Sequence, residues 1–139
     1  MDGMPFTYER TIRLSDTDAA GVVFFPSYLA ICHEAYEAAL DSVGVDLKGF
    51  FAAADGLSVP VAKSEADYLR PLFAGDRITV QVTPTRLSEE RFALEFELSK
   101  THPVAKRVAR VRTEHVCISV TKRERHALSP DLARWVDAG

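Results

Sequence analysis

The chain has 139 residues, of which 47% are hydrophobic and 27% charged, and a net charge of −3 at pH 7. This is the balance of one soluble globular domain over residues 1–139, and it excludes a disordered or fibrous chain. No apolar run approaches the roughly 20 residues that span a bilayer, and residues 1–5 lack a secretory signal pattern. Two cysteines are too few for a disulfide framework, so we expect a cytoplasmic protein that neither enters nor lies on a membrane.

Charge is distributed unevenly along the chain. Residues 1–99 hold 8 Lys and Arg against 16 Asp and Glu, whereas residues 100–139 hold 9 against 4. The net negative charge gives no general reason to bind nucleic acid. The basic C-terminal part could meet a phosphorylated small molecule, or it could be an ordinary mixed, solvated surface. Its candidate phosphate ligands are Lys106, Arg107, Arg110 and Arg112.

The first half of the chain predicts one strand and one long helix. Alternating apolar residues predict a strand over Phe6–Leu14. The turn-rich stretch 15–21 follows, and the helix begins at Pro26, because the fixed φ of proline suits a first turn. Apolar residues then recur at three- and four-residue spacing as far as Val43, and Gly44 ends the helix.

The second half of the chain predicts strands only. Extended segments are expected over Leu57–Leu69, Ile78–Val82, Phe92–Leu98 and Val104–Val120. A strand, a helix and four further strands in succession predict an α+β fold, with a largely antiparallel sheet of about five strands around one long central helix. The βαβα alternation of a dinucleotide-binding fold is absent.

The segment 16–25 is the most unusual part of the sequence, because it leads two carboxylates through a glycine into the helix. Backbone N–H groups at a helix N-terminus are unpaired and carry partial positive charge, so they can polarise a carbonyl and stabilise an oxyanion. Gly21 would let a substrate approach the backbone, and a carboxylate nearby could attack the carbonyl or activate a water. An Asp-rich turn before a helix is equally the ordinary pattern of a cap or an Asx-turn.

Other catalytic patterns are missing or incomplete. No G-x-S-x-G elbow, P-loop or G-x-G-x-x-G occurs, which leaves serine-hydrolase, nucleotidase and Rossmann interpretations without support. His33 begins a partial H-E-x-x-H zinc motif, but Glu37 stands in place of the second histidine, so we expect no metal site and no cofactor. Cys32 and Cys117 lie in apolar segments and are expected in the core.

Two landmarks resemble the hot-dog-fold thioesterases of the 4-hydroxybenzoyl-CoA thioesterase type. The first is the pattern Asp16-x-Asp18-x-x-Gly21-Val22-Val23-Phe24-Phe25 before a long helix. The second is a strand that ends in Asp67-Tyr68-Leu69-Arg70-Pro71 and is followed by a Gly75-Asp76 turn. Together they cover most of residues 6–100, and the resemblance implies a hot-dog fold.

The resemblance also implies roles in catalysis. Asp18 would be the catalytic carboxylate, acting either as the nucleophile or as the general base that activates water. The backbone N–H of Phe25 would polarise the thioester carbonyl, and Asp16 would brace the loop. Family members usually assemble as tetramers, as dimers of dimers with active sites between subunits. We therefore expect a homotetramer in which a single chain is incomplete.

The substrate implied by the resemblance is an acyl-CoA. Val22, Phe24 and Phe25 would line an apolar slot for a flat aromatic acyl group, with Gly21 beside the substrate. Arg91 is the one cation left where the 4-hydroxybenzoyl-CoA enzyme carries several, and it is the candidate for contact with coenzyme A.

The segments Phe6–Arg10, Cys32–Glu37 and His115–Ile118 are similar to the cyanobacterial and plant 1,4-dihydroxy-2-naphthoyl-CoA thioesterases of phylloquinone synthesis. Phe25 stands where the short-acyl thioesterases associated with the Tol-Pal system carry a histidine. The resemblance thus implies hydrolysis of an aromatic acyl-CoA in phylloquinone or menaquinone synthesis. Two alternatives stay open: a broader acyl-CoA or acyl-carrier-protein thioesterase of the same fold, and a non-catalytic hot-dog domain that binds acyl-CoA.

Overall fold

A computed structural model describes residues 3–138 of the chain. The strands are β1 (Phe6–Thr11), β2 (Leu57–Ser58), β3 (Val61–Tyr68), β4 (Arg77–Arg86), β5 (Arg91–Lys100), β6 (Lys106–Val116), β7 (Ile118–Ser119) and β8 (Glu124–Arg125). The helices are α1 (Ser27–Ser42), α2 (Leu47–Phe51) and α3 (Pro130–Asp137), with a short 3₁₀ turn at Leu14–Asp16. The main sheet has the order β1-β4-β5-β6-β3 with every pair antiparallel, and β2, β7 and β8 form a second, small sheet.

The core lies between α1 and the inner face of the main sheet. Alternate residues of β4 and β5 point inward, so that Val80, Leu94 and Leu98 are fully buried. The buried face of α1 consists of Tyr28, Ile31, Cys32, Ala35, Tyr36, Ala39 and Leu40. The α+β fold, the five-stranded antiparallel sheet and the long helix predicted from the sequence are confirmed, and α1 begins within one residue of the predicted start.

Two of the predicted strands are each divided in the structure. The segment expected as one strand from Leu57 to Leu69 is β2 and β3, which pair with β7 and β6 respectively. Pro60 lies at the division and has no N–H to continue a ladder. The expected strand Val104–Val120 is likewise β6 and β7, separated at Cys117, whose N–H donates to the Glu90 carbonyl at 2.8 Å.

Two short helices that the sequence pattern did not indicate, α2 and α3, accompany the predicted long helix. The N-cap of α3 is Ser129, whose hydroxyl accepts the Leu132 N–H at 3.4 Å. The helix buries Trp135, which stacks on Tyr36 with ring centroids 6.0 Å apart. Within residues 3–138, no helix has the length and hydropathy needed to cross a bilayer.

Strand β3 forms one edge of the main sheet, and nearly all its residues are exposed. Ser64 and Ala66 lie opposite Thr113 and Val111 of β6, so they share the inner face of the sheet. The long helix lies mainly over β1 and β4. On the inner face of β3, Ser64 is exposed, whereas Ala66 is half-buried against the core and Tyr68 contacts Tyr28 of α1. Within residues 3–138, the other edge of β3 has no neighbouring strand.

Candidate active site

The loop before α1 is tied by its backbone to the segment that leads into β4. Val22 forms an isolated bridge to Phe73, and the Val23 N–H donates to the Leu72 carbonyl at 2.9 Å. Thr17 bridges Val23 across the loop. Gly21 has a φ of 83°, a left-handed conformation that L side chains rarely adopt. The bridges and the hydrogen bond hold the two arms of the loop together. The left-handed φ at the tip is one that glycine adopts without strain.

The Asp16 carboxylate is fully engaged in holding this loop. It accepts a hydrogen bond from Arg10 Nη1 and another from the Arg13 N–H, each at 2.8 Å. Arg10 Nε also lies 3.0 Å from Glu34 Oε1, on α1. Burial opposes the charge of Arg10, but the bond from Asp16 and the fields of Glu34 and Asp16 outweigh it and raise its pKa. Arg10 thereby joins β1, the loop and α1, and Asp16 occupies the bracing position expected for it.

Asp18 is exposed near the tip of the loop. Its Oδ1 accepts the Ala20 N–H at 2.8 Å, and its own N–H donates to the Val22 carbonyl at 2.9 Å. The Asx-turn that the sequence allowed is therefore present. Among residues 3–138, Oδ2 of Asp18 has no hydrogen-bond partner. The same carboxylate thus shapes its turn with one oxygen and leaves the other available.

Phe25 carries the available backbone donor at the start of α1. The N–H groups of residues 27–29 bond to the carbonyls of residues 24–26, at 2.8, 3.3 and 3.2 Å. The Phe24 N–H donates to the Asp16 carbonyl at 3.0 Å, and Pro26 has no N–H. Within the described part of the chain, the Phe25 N–H has no partner. It lies where the helix dipole is positive, so it can polarise a carbonyl oxygen.

Exposed aromatic rings surround this donor. Phe25 is 62% exposed, and its ring lies 5.4 Å from Phe24 and 6.4 Å from Tyr68 between centroids. Tyr68, at the end of β3, also donates its hydroxyl to the Phe25 carbonyl at 3.5 Å. Phe73 is another half-exposed ring on the segment that bridges Val22. Contiguous exposed apolar surface of this kind marks a binding site for a ligand or a partner.

Arg91 does not join this group within the chain. It begins β5, and its Nη2 bonds to Glu114 Oε1 at 2.7 Å. The loop lies beside the other end of the sheet, where Lys100 pairs with Asp76 at 3.4 Å. Nine residue steps separate Arg91 from Lys100, which is about 30 Å along an extended strand. The remaining predicted residues, Asp18 to Phe25, are brought together, and Arg91 is left at the far end.

A cavity of about 350 Å³ lies beside the middle of α1. Its walls are His33, Tyr36, Glu37, Phe50, Phe51, Ser58, Val59, Pro60, Val61 and His115. This volume is in the range of small-molecule sites, and the combination of apolar walls with a few polar groups is typical of them. His33 and Glu37 of the partial zinc motif are among these walls. Among the described residues, no group of three or more His, Cys, Asp or Glu could hold a metal ion.

Two polar side chains are buried at the cavity. Tyr36 Oη has no hydrogen-bond partner among residues 3–138, and burial raises the pKa of this phenol. His115 lies within 3.2 Å of the Val59 carbonyl and 2.9 Å of Thr113 Oγ1 through its two ring nitrogens. Burial lowers the pKa of His115 to about 4, although the bond to Val59 opposes the shift, so the imidazole is neutral at pH 7.

Sequence reasoning missed this cavity. Tyr36 falls on the three- and four-residue spacing of the helix, and its ring packs in the core as that spacing indicates, but the spacing identifies no partner for its hydroxyl. A buried tyrosine normally finds a hydrogen-bond partner for its hydroxyl, so a tyrosine on a core stripe was the available signal. The other walls come from segments distant in sequence, which no short motif joins.

The loop and the cavity lie at opposite ends of β3. Val61 begins the strand and lines the cavity, whereas Tyr68 ends it and touches Phe25. Seven residue steps of about 3.3 Å each place Val61 roughly 23 Å from Tyr68. His33, which also lines the cavity, follows Phe25 by eight residues, about 12 Å along the helix axis. Within one chain, the cavity walls at Val59, Pro60 and Val61 therefore lie far from the Phe25 N–H.

Known proteins are similar to this chain over nearly its whole length. The family model of the thioesterase-like superfamily matches residues 12–136. The chain is 44% identical over 130 residues to the 1,4-dihydroxy-2-naphthoyl-CoA hydrolase of Crocosphaera subtropica, with 94% of each chain covered. It is 45% identical over 129 residues to the hydrolase of the same name from Rippkaea orientalis, with 93% of each covered. A crystal structure of a 1,4-dihydroxy-2-naphthoyl-CoA thioesterase from Synechocystis is similar with a TM-score of 0.90 and 36% identity, over 96% of each chain.

Proposed function

The chain belongs to the thioesterase-like superfamily, and from this premise we propose that it hydrolyses 1,4-dihydroxy-2-naphthoyl-CoA to the free acid and coenzyme A. This reaction serves phylloquinone or menaquinone synthesis. The observation that carries the proposal is a pair of groups on one short loop that have no partner within residues 3–138: the Phe25 N–H and one carboxylate oxygen of Asp18. A donor for the carbonyl and a base or nucleophile for the attack are what thioester hydrolysis requires.

In the proposed reaction, the thioester oxygen accepts the Phe25 N–H, which stabilises the negative charge that develops there. As a general base, Asp18 takes a proton from water, whose oxygen attacks the carbonyl carbon. The carbon–sulfur bond then breaks, and the departing thiolate takes up the proton that Asp18 holds. As a nucleophile, Asp18 instead forms a mixed anhydride as the thiolate leaves, and water hydrolyses the anhydride. In a single turnover in H₂¹⁸O, label that enters the Asp18 carboxylate identifies the anhydride route, with attack of water on the aspartyl carbonyl.

The active site of this proposal is shared between two chains. The open edge of β3 is a strand that proteins normally cover. A two-fold axis perpendicular to the sheet pairs β3 with its copy in antiparallel fashion. Tyr68 of one chain then lies near Val61 of the other, so each catalytic loop meets the cavity of its neighbour. The exposed Ser64 on the inner face of β3 supports this arrangement, and we propose the homotetramer as a dimer of such dimers.

In this shared site the cavity receives the aromatic acyl group. A flat bicyclic ring suits its apolar walls, which include Phe50 and Val59. The unpaired hydroxyl of Tyr36 can bond to a ring hydroxyl of the substrate, and His33 and Glu37 offer further polar contacts. Val22 and Phe24, which the resemblance places along the acyl slot, lie on the loop with Gly21 instead, and we assign them to the surface beside the thioester. The two buried, unpaired cysteines support a cytoplasmic location.

The test is turnover by the wild-type protein and by Asp18→Asn. Asparagine keeps the shape and the Asx-turn but cannot act as base or nucleophile, so we expect a loss of at least about 10²-fold in kcat. Asp16→Asn is the matched control on the same loop and should lose less, because Asp16 braces the loop. A panel with benzoyl and straight-chain acyl-CoAs measures specificity. More than a few per cent of activity in Asp18→Asn contradicts the assigned role, and no turnover in the wild type contradicts the function.

A further inference from the structure

The two arms of the loop before α1 are anchored in different ways. The outgoing arm, residues 22–25, is bonded by its backbone to Leu72 and Phe73, and its Val23 is buried in the core. The incoming arm, residues 13–18, has no buried residue, and its Leu14 is 80% exposed. Within the described chain, the backbone hydrogen bonds of this arm run inside the arm or across the loop. The core therefore does not hold the arm that carries Asp18.

Arg10 of β1 supplies the attachment that the incoming arm lacks. Its Nη1 donates to Asp16 Oδ2 at 2.8 Å, and its Nε lies 3.0 Å from Glu34 Oε1 on α1. The Arg10 side chain is only 13% exposed. Among residues 3–138, no other side chain forms hydrogen bonds or ion pairs with both the loop and α1. The planar guanidinium fixes the direction of each N–H, so it holds the two carboxylates in a defined arrangement.

The position of Glu34 connects this attachment to the backbone donor at Phe25. Glu34 lies on α1, which begins two residues after Phe25. Tyr8 of β1 donates its hydroxyl to the same Glu34 Oε1 at 3.0 Å, so the Glu34 side chain is held from two positions of one strand. The Phe25 N–H moves with the start of α1, whereas Asp18 moves with the incoming arm. Arg10 thus sets where one of these groups lies relative to the other.

We infer that Arg10 is a positioning residue for the proposed hydrolysis. By fixing the incoming arm to α1, it keeps the Asp18 carboxylate aligned with the Phe25 N–H, so that both act on one thioester carbonyl. The inference rests on the proposed function, because the alignment matters only if these two groups meet the same substrate. Arg10 acts through Asp16 and takes no part in the proton transfer or the attack. A displacement of about 1 Å between reacting groups can lower a rate on the order of 10²-fold.

The experiment compares Arg10→Met with the wild type, and with Arg86→Met as a matched control. Arg86 also bonds an aspartate through two nitrogens, at 2.9 and 3.0 Å from Asp137, but it ties α3 to the last residue of β4. Hydrolysis of an aromatic acyl-CoA is measured well below the Tm of each variant. We expect kcat of Arg10→Met to fall about 10- to 100-fold and its KM to stay within about two-fold of the wild type. Arg86→Met should keep both kinetic constants, even where its Tm is lower.

A double-mutant cycle with Asp18→Asn separates positioning from a general weakening of the structure. Without the Asp18 carboxylate, no pair remains to be aligned. Arg10→Met should therefore lower the residual kcat of Asp18→Asn by less than about two-fold. Arg10→Lys should recover part of the kcat that Arg10→Met loses, because an ammonium keeps the charge but lacks the planar fork.

Three results overturn the inference while the proposed function stands: an unchanged kcat in folded Arg10→Met, a rise in KM alone, or an equal loss of kcat with and without Asp18. If Arg10→Met does not fold, Arg10→Lys and Arg86→Lys provide the test. A lower kcat at unchanged KM in Arg10→Lys alone supports the inference, and equal kinetics of the two variants overturn it. A wild-type protein that hydrolyses no acyl-CoA overturns the proposed function, and the role of Arg10 with it.

Discussion

Replacing Tyr36 by phenylalanine removes a buried hydroxyl and leaves the ring in place. The ring packs between Trp135 at 6.0 Å and His115 at 5.2 Å, contacts that phenylalanine keeps. The hydroxyl has no partner among residues 3–138, and a buried hydroxyl without a hydrogen bond costs about 1–3 kcal/mol. We expect ligand-free Tyr36→Phe to gain about 1 kcal/mol in the free energy of unfolding. For a chain of this size, that gain raises Tm by about 3 °C.

Activity should change in the opposite direction. If the Tyr36 hydroxyl bonds to a ring hydroxyl of the substrate, its removal leaves that group unpaired in the cavity. We therefore expect kcat/KM for 1,4-dihydroxy-2-naphthoyl-CoA to fall about ten-fold, the usual range for one lost hydrogen bond. The value for 2-naphthoyl-CoA, which has no ring hydroxyls, should not change. The ratio of the two values isolates the contribution of the hydroxyl.

The assay combines calorimetric melting without ligand and kinetics on both thioesters. Tyr8→Phe is the control, because its hydroxyl donates to Glu34 Oε1 at 3.0 Å, outside the cavity. That variant should lose stability and leave the substrate ratio unchanged. If Tyr36→Phe melts below the wild type, or if both substrates lose activity by the same factor, the hydroxyl does not have the role assigned to it.

Three further outcomes are expected. The pKa of His115 is about 4 in the folded chain against 6.5 in the unfolded chain, so on acidification the unfolded chain binds the proton first. Urea unfolding should therefore show full stability above about pH 6.5 and a loss of roughly 3 kcal/mol in the free energy of unfolding by pH 4. His115→Gln should flatten that profile; an unaltered slope would exclude His115 as its source. Exhaustive dialysis against a chelator should leave the rate unchanged, whereas a rate restored only by zinc would contradict metal-free catalysis. Ser64→Arg, at an exposed position on the inner face of β3, should yield a folded, inactive monomer by light scattering, and a fully active monomer would refute the shared site.

Local patterns predicted the elements that have a strong period of their own. The three- and four-residue spacing after Pro26 gave α1, and strict alternation from Phe92 to Leu98 gave β5, because both periods follow from burying one face. The helix α3 has a comparable signal in its Ser129 cap and the spacing of Leu132, Trp135 and Val136, so it could have been predicted.

The rest depended on contacts that the sequence does not display. Val59-Pro60 divides one extended segment between two sheets, a choice made by pairing with β6 and β7 far along the chain. In the site, the loop from Asp18 to Phe25 was predictable because its residues are contiguous. The cavity was not, since Tyr36 and His115 meet only through the packing of α1 against β6.

Four of the ten residues that line the cavity come from α2 and from the connection between β2 and β3, outside the five-stranded sheet. Substitutions there can reshape the pocket without disturbing the ladder that positions the catalytic loop. In the proposed reaction, the loop that performs the chemistry and these walls that contact the acyl group thus lie on separate segments of the chain. Proteins of this fold can therefore differ at positions such as Phe50 and Val59, and in the acyl group that they accept, while the loop stays the same. Relatives with the same loop need not share a substrate.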